Sequence, residues 1–437
     1  MICHQSFIFQ YPAALLLALS VLLTPSKASD WKAHEVRQLT GESSGNRIPA
    51  KLEIVTESWN RVVAVPYIVY MPEKNRLLML VGCDYPHHAE ILFSDDLGTT
   101  WSDPKPVVCG AEELPMPIGT SLCYLGDGNV VFYAGSRWFS RDYGQTWTES
   151  VTLDATPDGS PWNIWDPPLA ERDATGKLVR LFETGYQQSG HTDSQSFLRS
   201  STDGGATWSS AARIPQWQGA NEVALLRAAN GNLVAACRTI IPVRLQHESL
   251  DHFEGLGISI SANAGRTWSD VRKLYDWGRH HPSLVLLPSG DIVMTYVVRK
   301  GYVDSPEGFP QFGIEAVVSH DHGETWDLDH RYLLHTWVGN RNGSNQNLLG
   351  PQAWWASSQA TSTLLLPNGS LLTAFGTGYR SQPNAQGQSS PRDVGLIEWR
   401  MNETPASDSH RIRDAAFDSD LRNWLDPTTG EPIAPRK

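Results

Sequence analysis

Short apolar runs recur along the whole chain, and each is closed by a turn rich in Gly, Pro, Asn or Asp. Short runs punctuated this way are strands rather than helices. Six times the order is the same: an apolar run, a turn with Pro or Gly, then a second apolar run. The copies begin at Val65-Pro66-Tyr67-Ile68, Thr120-Ser121-Leu122-Cys123, Pro168-Leu169, Glu222-Val223-Ala224-Leu225, Pro282-Ser283-Leu284 and Thr361-Ser362-Thr363-Leu364. Turns such as Leu125-Gly126-Asp127-Gly128, Leu287-Pro288-Ser289-Gly290 and Leu366-Pro367-Asn368-Gly369 lead into returning strands over 129–134, 292–297 and 371–375.

Five segments share a second pattern, Ser-x-Asp-x-Gly-x-Thr-Trp, at 94–101, 140–147, 201–208, 261–268 and 319–326. The acidic positions are Asp96, Asp142, Asp203 and Asp321, with Asn263 in the fourth copy, and they are 46, 61, 60 and 58 residues apart. Asp or Asn accepts backbone hydrogen bonds inside a tight turn, Gly supplies a positive φ, and Trp packs between neighbouring units. One hairpin plus this turn between two outer strands makes a four-stranded sheet. The pattern therefore predicts an all-β chain, a six-bladed β-propeller with four-stranded antiparallel blades. The sixth copy lacks the Ser-x-Asp turn and runs on to 394–399. Its outermost strand is expected from 31–57, which would close the ring. Residues 29–400 form the propeller in this reading, and 401–437 are a polar tail.

The chain has 437 residues with 40% hydrophobic and 19% charged, a globular balance. Net charge is −12 with no basic block, which argues against nucleic acid as a partner. The apolar run 13–23 is too short to span a bilayer, which takes roughly 20 residues. With Ser26-Lys27-Ala28 behind it, it reads as a signal peptide over 1–28. A secreted or periplasmic protein without an integral membrane span is expected. Cys83, Cys109, Cys123 and Cys237 then remain, without the CxxC spacing of a zinc site. Disulfides are permitted outside the cytosol, and buried free thiols on strands fit equally well.

Five such boxes on a six-bladed propeller resemble the sialidase (neuraminidase) superfamily, over 62–400. The box itself is structural and lies on the outer part of each blade, so function has to be argued from the axial site. The resemblance implies that this site is built from the start of each innermost strand and the loop leaving each second strand. In blade four these positions hold Glu222 and, sixteen residues on, Arg238. The resemblance implies that Glu222 activates a tyrosine nucleophile and that Arg238 belongs to a triad clamping the substrate carboxylate. A planar guanidinium suits that role.

Elsewhere the family pattern is broken. The Arg-Ile-Pro expected at the start of blade one reads Ala64-Val65-Pro66, while a literal Arg47-Ile48-Pro49 lies upstream with no hairpin behind it. Arg61 is the nearest substitute. The loop Cys83-Asp84-Tyr85-Pro86-His87-His88 makes Asp84 the best match to the family's acid/base, with His87 and His88 as rivals. The tyrosine expected at the start of blade six falls on Ala360. Blade five instead opens with Arg279-His280-His281-Pro282. Arg238, Arg299 and Arg380 each end a second strand and could surround one anion. Arg137, Trp162, Trp165, Asp166, Tyr186, His191, Arg244, Tyr302 and Tyr379 also fall at axial positions.

The expected function is a secreted glycoside hydrolase that cleaves a terminal acidic sugar, sialic acid first, from a glycan or glycoconjugate. A carboxylic acid would protonate the leaving oxygen, and a displaced tyrosine or an activated water would attack. The candidate catalytic residues are Glu222, Asp84, His88 and His281. The candidate substrate-binding residues are Arg238, Arg299, Arg380, Arg61, Asp166, His87 and His280. No cofactor or metal is expected. Two alternatives stay open: a uronate-directed glycosidase or lyase using these histidines, and a non-catalytic glycan-binding propeller.

Overall fold

The computed structural model describes residues 27–28, 30–40, 43–84, 88–109, 114–115, 118–147, 149–151, 155–243, 253–299, 311–338, 360–380 and 390–401. The expected signal peptide, apart from 27–28, and the tail beyond Met401 lie outside these residues. So do His87, Arg244 and Tyr302. Among the described residues no helix is long and apolar enough to cross a membrane.

The hairpins and boxes fold as expected into antiparallel sheets. Blade one is Val63–Met71, Arg76–Cys83, His88–Ser94 and Lys105–Pro106. Blade two is Thr120–Gly126, Asn129–Ala134, Ser136–Ser140 and Glu149–Val151. Blade three is Leu169–Arg172, Leu178–Ser189, Asp193–Ser201 and Ala212–Gln218. Blade four is Ala220–Arg227, Leu233–Thr239, Gly255–Ser261 and Arg272–Tyr275.

The last two units are fused into one nine-stranded sheet. Blade five is Arg279–Leu286, Ile292–Val298, Gln311–Ser319 and Tyr332–Val338. Blade six is Thr361–Leu365, Leu371–Tyr379 and Arg392–Trp399, and its fourth strand is Ser43–Ile54 from the N-terminal segment. Closure by 31–57 is therefore as expected, with one difference. That segment forms two strands, and the extra one, Lys32–Thr40, lies between the outer edges of blades five and six and joins them. Arg47 and Ile48 sit on this closing pair, where Arg47 bonds Glu35, so Arg47-Ile48-Pro49 is an outer-strand feature.

Each core lies between neighbours. Leu226, Val234 and Ile258 of blade four pack on Ile292, Met294 and Trp326 of blade five. Equivalent clusters join blades one and two, two and three, three and four, five and six, and six and one. Six such interfaces make a closed ring without a free sheet edge between units.

The boxes show why their residue types recur. Ser201 Oγ donates to Asp203 Oδ1 at 2.8 Å and accepts from the Gly205 N–H at 2.9 Å. Asp203 accepts from the Thr207 N–H at 2.9 Å and from its hydroxyl at 2.5 Å. These bonds, the Thr207 hydroxyl first, hold the Asp203 pKa down at about 2. In the fourth copy Asn263 accepts the Thr267 N–H through Oδ1 and donates through Nδ2 to the Thr267 hydroxyl. The turn survives because the hydroxyl reverses its role.

The innermost strands carry a repeated irregularity near their start. Val65, Ser121, Glu222 and His281 have φ of 54°, 61°, 44° and 55°. Each falls within a register shift against the second strand of its blade. These are β-bulges, which re-aim a side chain and bend the strand.

Candidate functional site

The bulge in blade four places Glu222 at the axis, and the bulge in blade five does the same for His281. His281 Nδ1 lies 2.9 Å from Glu222 Oε2. Arg238, on the second strand beside Glu222, donates from Nη1 to both Glu222 oxygens at 2.9 and 3.1 Å, and lies 3.4 Å from His281 Nε2. Its Nη2 also bonds Glu254, whose other oxygen is 3.2 Å from His191 Nδ1. The result is a connected chain of ionisable groups: His281, Glu222, Arg238, Glu254 and, at its more exposed end, His191.

Blade three supplies the other wall. Asp166 precedes Pro167-Pro168, which confine it to an extended backbone. The peptides before it are held from two blades, by the Thr120 hydroxyl on the Ile164 carbonyl at 3.1 Å and the Tyr67 hydroxyl on the Trp165 carbonyl at 2.7 Å. The Trp165 ring packs 5.9 Å from that of His281. A central cavity of about 1390 Å³ reaches Asp166, Tyr67 and His281 and is lined by the innermost strands of all six blades. Glu222 and Arg238 sit behind this lining, only 5% and 6% exposed.

Two carboxyls here are driven apart. Asp166 is pushed well above the usual carboxylate range, by burial first and then by the charge of Glu222. Its Oδ2 is buried without a hydrogen-bond partner, as suits a neutral acid. Glu222 suffers desolvation too, but Arg238 and His281 outweigh it and hold the pKa at about 2. Burial lowers His281 to about 4 against the opposing pull of Glu222, with Arg238 and Arg299 adding to the fall. His281 is therefore neutral near pH 7. Tyr67 and Tyr186 both feel the Glu222 charge, and burial raises both phenols. One neutral acid beside one fixed carboxylate is the arrangement that general acid–base chemistry needs.

Glu222, His280 and His281 also bring potential metal-ligand atoms within 4.8 Å of one another. The Arg238 guanidinium already contacts two of these three groups and supplies the positive charge there.

The expected residues thus divide. Glu222, Arg238, His280, His281 and Asp166 come together, with Arg299 close enough to act on His281. Arg61, Asp84 and His88 form a different cluster on blade one: Arg61 donates to Asp84 at 2.7 and 2.9 Å and to Glu90, and His88 Nε2 is 2.6 Å from Glu90. Asp84 is engaged by the Arg61 guanidinium, in a cluster separate from that of Glu222. Arg380 does not join Arg238 and Arg299. Asp393 holds it at 2.7 Å, and it donates to the Glu57 carbonyl. The expected three-arginine clamp does not form: blade six carries its own acid for Arg380, and Arg238 is itself held by Glu222 and Glu254. Of the other axial candidates, Arg137 is spent on Glu183 within blades two and three, and Trp162 packs under Arg199.

Tyr67 and Glu254 were missed. Tyr67 stood in the quoted innermost strand of blade one, and only the ring brings it under Trp165. Glu254 adjoins a strand start with no motif around it. Cys83, Cys123 and Cys237 are buried free thiols, in line with the open reading of the cysteines.

A closed ring of antiparallel sheets with a buried cluster of ionisable groups on its axis defines a β-propeller. The chain belongs to the BNR repeat-like domain family, whose model matches residues 136–381. No curated protein sequence matches it. Among solved structures it resembles a protein of unknown function from Dyadobacter fermentans DSM 18053, with TM-score 0.52 and 14% identity over 85% of this chain and 99% of that one. It also resembles the Hadza microbial sialidase Hz136, with TM-score 0.51 and 14% identity, over 78% of this chain and 66% of that one. These likenesses are of fold.

Proposed function

We propose that the protein is a glycoside hydrolase that removes a terminal acidic sugar, with sialic acid the first candidate. The observation that supports this reading is the pair Asp166 and Glu222: two buried carboxyls acting on each other, one pushed up and one held down. Asp166 donates its proton to the glycosidic oxygen as the C–O bond breaks. Glu222 accepts a proton from the attacking group, either water or the Tyr186 hydroxyl. On the water route the proton taken by Glu222 returns to Asp166; on the tyrosine route water cleaves the glycosyl–tyrosine bond, giving its proton to Asp166, while Glu222 returns its proton to Tyr186. Arg238 and Arg299 supply the positive field that suits a carboxylate-bearing sugar. The apolar leader supports export, where glycans are met.

A second reading, a uronate-directed glycosidase or lyase, draws on the neutral His281 at 2.9 Å from Glu222, a base in waiting. A panel of aryl sialosides and aryl uronides, assayed with the wild type, Asp166→Asn and Glu222→Gln, tests both. Turnover of sialosides that falls about 100-fold or more in both variants is expected, the usual weight of acid–base catalysis. Uronide turnover that depends on His281 but survives Asp166→Asn would move the assignment to the second reading. Turnover of neither class would end both.

A further inference from the structure

We propose that blade three carries a separate subsite for an uncharged sugar unit, on the face that turns away from Glu222. A cavity of about 450 Å³ lies there, within the usual size range of small-ligand sites. Its floor is a row of amides. Gln187, Gln195 and Gln218 stand opposite one another on three neighbouring strands of the blade. Arg213 fixes two of them, donating from Nε to Gln195 Oε1 at 2.9 Å and from Nη2 to Gln218 Oε1 at 3.0 Å. Gln218 Nε2 in turn donates to Asp193 Oδ1 at 3.2 Å. The third amide is different: Gln187 Oε1 is buried without a hydrogen-bond partner. A buried acceptor left unmet costs stability, so such a group asks for a donor.

The chemistry selects the ligand class. Two of the five donors of the Arg213 guanidinium, one on Nε and one on Nη2, are engaged by amide oxygens, so it serves first to hold the amide row. What remains facing the cavity is the Gln187 amide oxygen, Ser189, and the Asp158 and Asp193 carboxylates, since the Gln195 and Gln218 nitrogens donate within the blade. These are mainly acceptors, which match the hydroxyl donors of a sugar, and the acids oppose an anion. The position follows from the strand. Leu178–Ser189 carries Tyr186, which lies within the field of Glu222, and Gln187 is the next residue. Successive side chains point to opposite faces of a sheet. Thr184, on the face of Tyr186, bonds Val223 of blade four, whereas Gly185, on the face of Gln187, packs against Trp162. The cavity therefore lies on the side of blade three turned away from Glu222, and the subsite does not depend on the proposed glycosidase reading.

The test is saturation-transfer NMR on the full chain, with lactose and cellobiose as probes. At least one should bind the wild type. Gln187→Leu, which removes the unmet acceptor, should weaken that binding roughly tenfold, about one hydrogen bond. Ser189→Trp fills the cavity from an exposed hairpin position and should abolish it, which keeps the test valid if Gln187→Leu folds poorly. Binding of neither probe, or binding that survives Ser189→Trp, overturns the subsite. Because the readout needs no turnover, probe binding without aryl-glycoside cleavage would sink the enzyme reading and leave the subsite standing.

Discussion

Asp166→Asn and Glu222→Gln should shift stability in opposite directions, and their pH dependence gives the sign. Glu222 falls from an ordinary 4.5 to about 2 in the folded protein. At 1.36 kcal/mol per pKa unit, that fall is worth about 3 kcal/mol. A depressed carboxyl stabilises above its unfolded pKa, and the contribution is lost as pH falls from 4.5 towards 2. Glu222→Gln should therefore cost about 3 kcal/mol at neutral pH, the scale expected for breaking a buried ion pair. Its partner Arg238 keeps Glu254, so the fold should survive.

Asp166 has the reverse sign. Its folded pKa is raised, so the stability it allows is complete below 3.8 and is lost as pH rises, until Asp166 itself ionises. Over that window the loss is about 1.36 kcal/mol per pH unit. Asn cannot ionise, so Asp166→Asn should gain on the wild type at that slope from about pH 4 upward, while kcat drops by roughly 10²–10⁴-fold. Urea melts at several pH values, with m unchanged between variants, measure this directly. A wild-type slope in Asp166→Asn would mean that Asp166 is already ionised near pH 4. It could not then be the proton donor, and the assignment would fail.

Three further outcomes are expected. Asp203→Ala removes bonds to Thr207 and Ser201 and should cost about 1–2 kcal/mol in chemical denaturation, whereas Asp203→Asn should cost much less, since Asn263 closes the same turn. Gly144→Ala should cost about 2 kcal/mol or more in the same assay, because φ is +82° and the new methyl would stand 2.1 Å from Leu78 Cδ1 of blade one. Cys123 and Cys237, both buried with thiols pushed up to about 12, should resist a thiol reagent until denaturant is added; rapid native labelling of either would contradict their burial.

The blades were legible because their signals are local. Alternating apolar runs, Gly turns and Ser-x-Asp boxes depend on neighbours a few residues away. Glu222 and Arg238 were legible for a related reason, since sixteen residues of hairpin carry one to the other. What could not be read depends on the ring. Asp166 reads from the sequence only as a binder; its raised pKa follows from burial beside a residue 56 positions later. Asp84 was matched by its loop, but Arg61 takes it, and that pairing crosses from a strand start to a strand end. Arg380 occupies the position shared by Arg238 and Arg299, yet Asp393 on the adjoining strand redirects it. A second N-terminal strand was unforeseen because what it covers, the outer edges of two blades, exists only after the ring closes.

The bulges show how much of the site belongs to the fold itself. Four innermost strands place a non-glycine residue at positive φ near the same point, and such a backbone costs about 1–3 kcal/mol each. Strain of this kind often marks function, and Glu222 and His281 would fit that rule alone. Val65 does not: it is β-branched, fully buried and without ionisable chemistry, yet it adopts φ 54°. Ser121 repeats the geometry in blade two. The bulge is therefore a device of the propeller, one that bends each innermost strand where it enters the crowded axis. The strained geometry occurs at four places, and at two of them the side chain can hold a charge or a proton. The fold thus supplies the aim, while the identity of the residue at each bulge decides what chemistry that blade can offer to the axis.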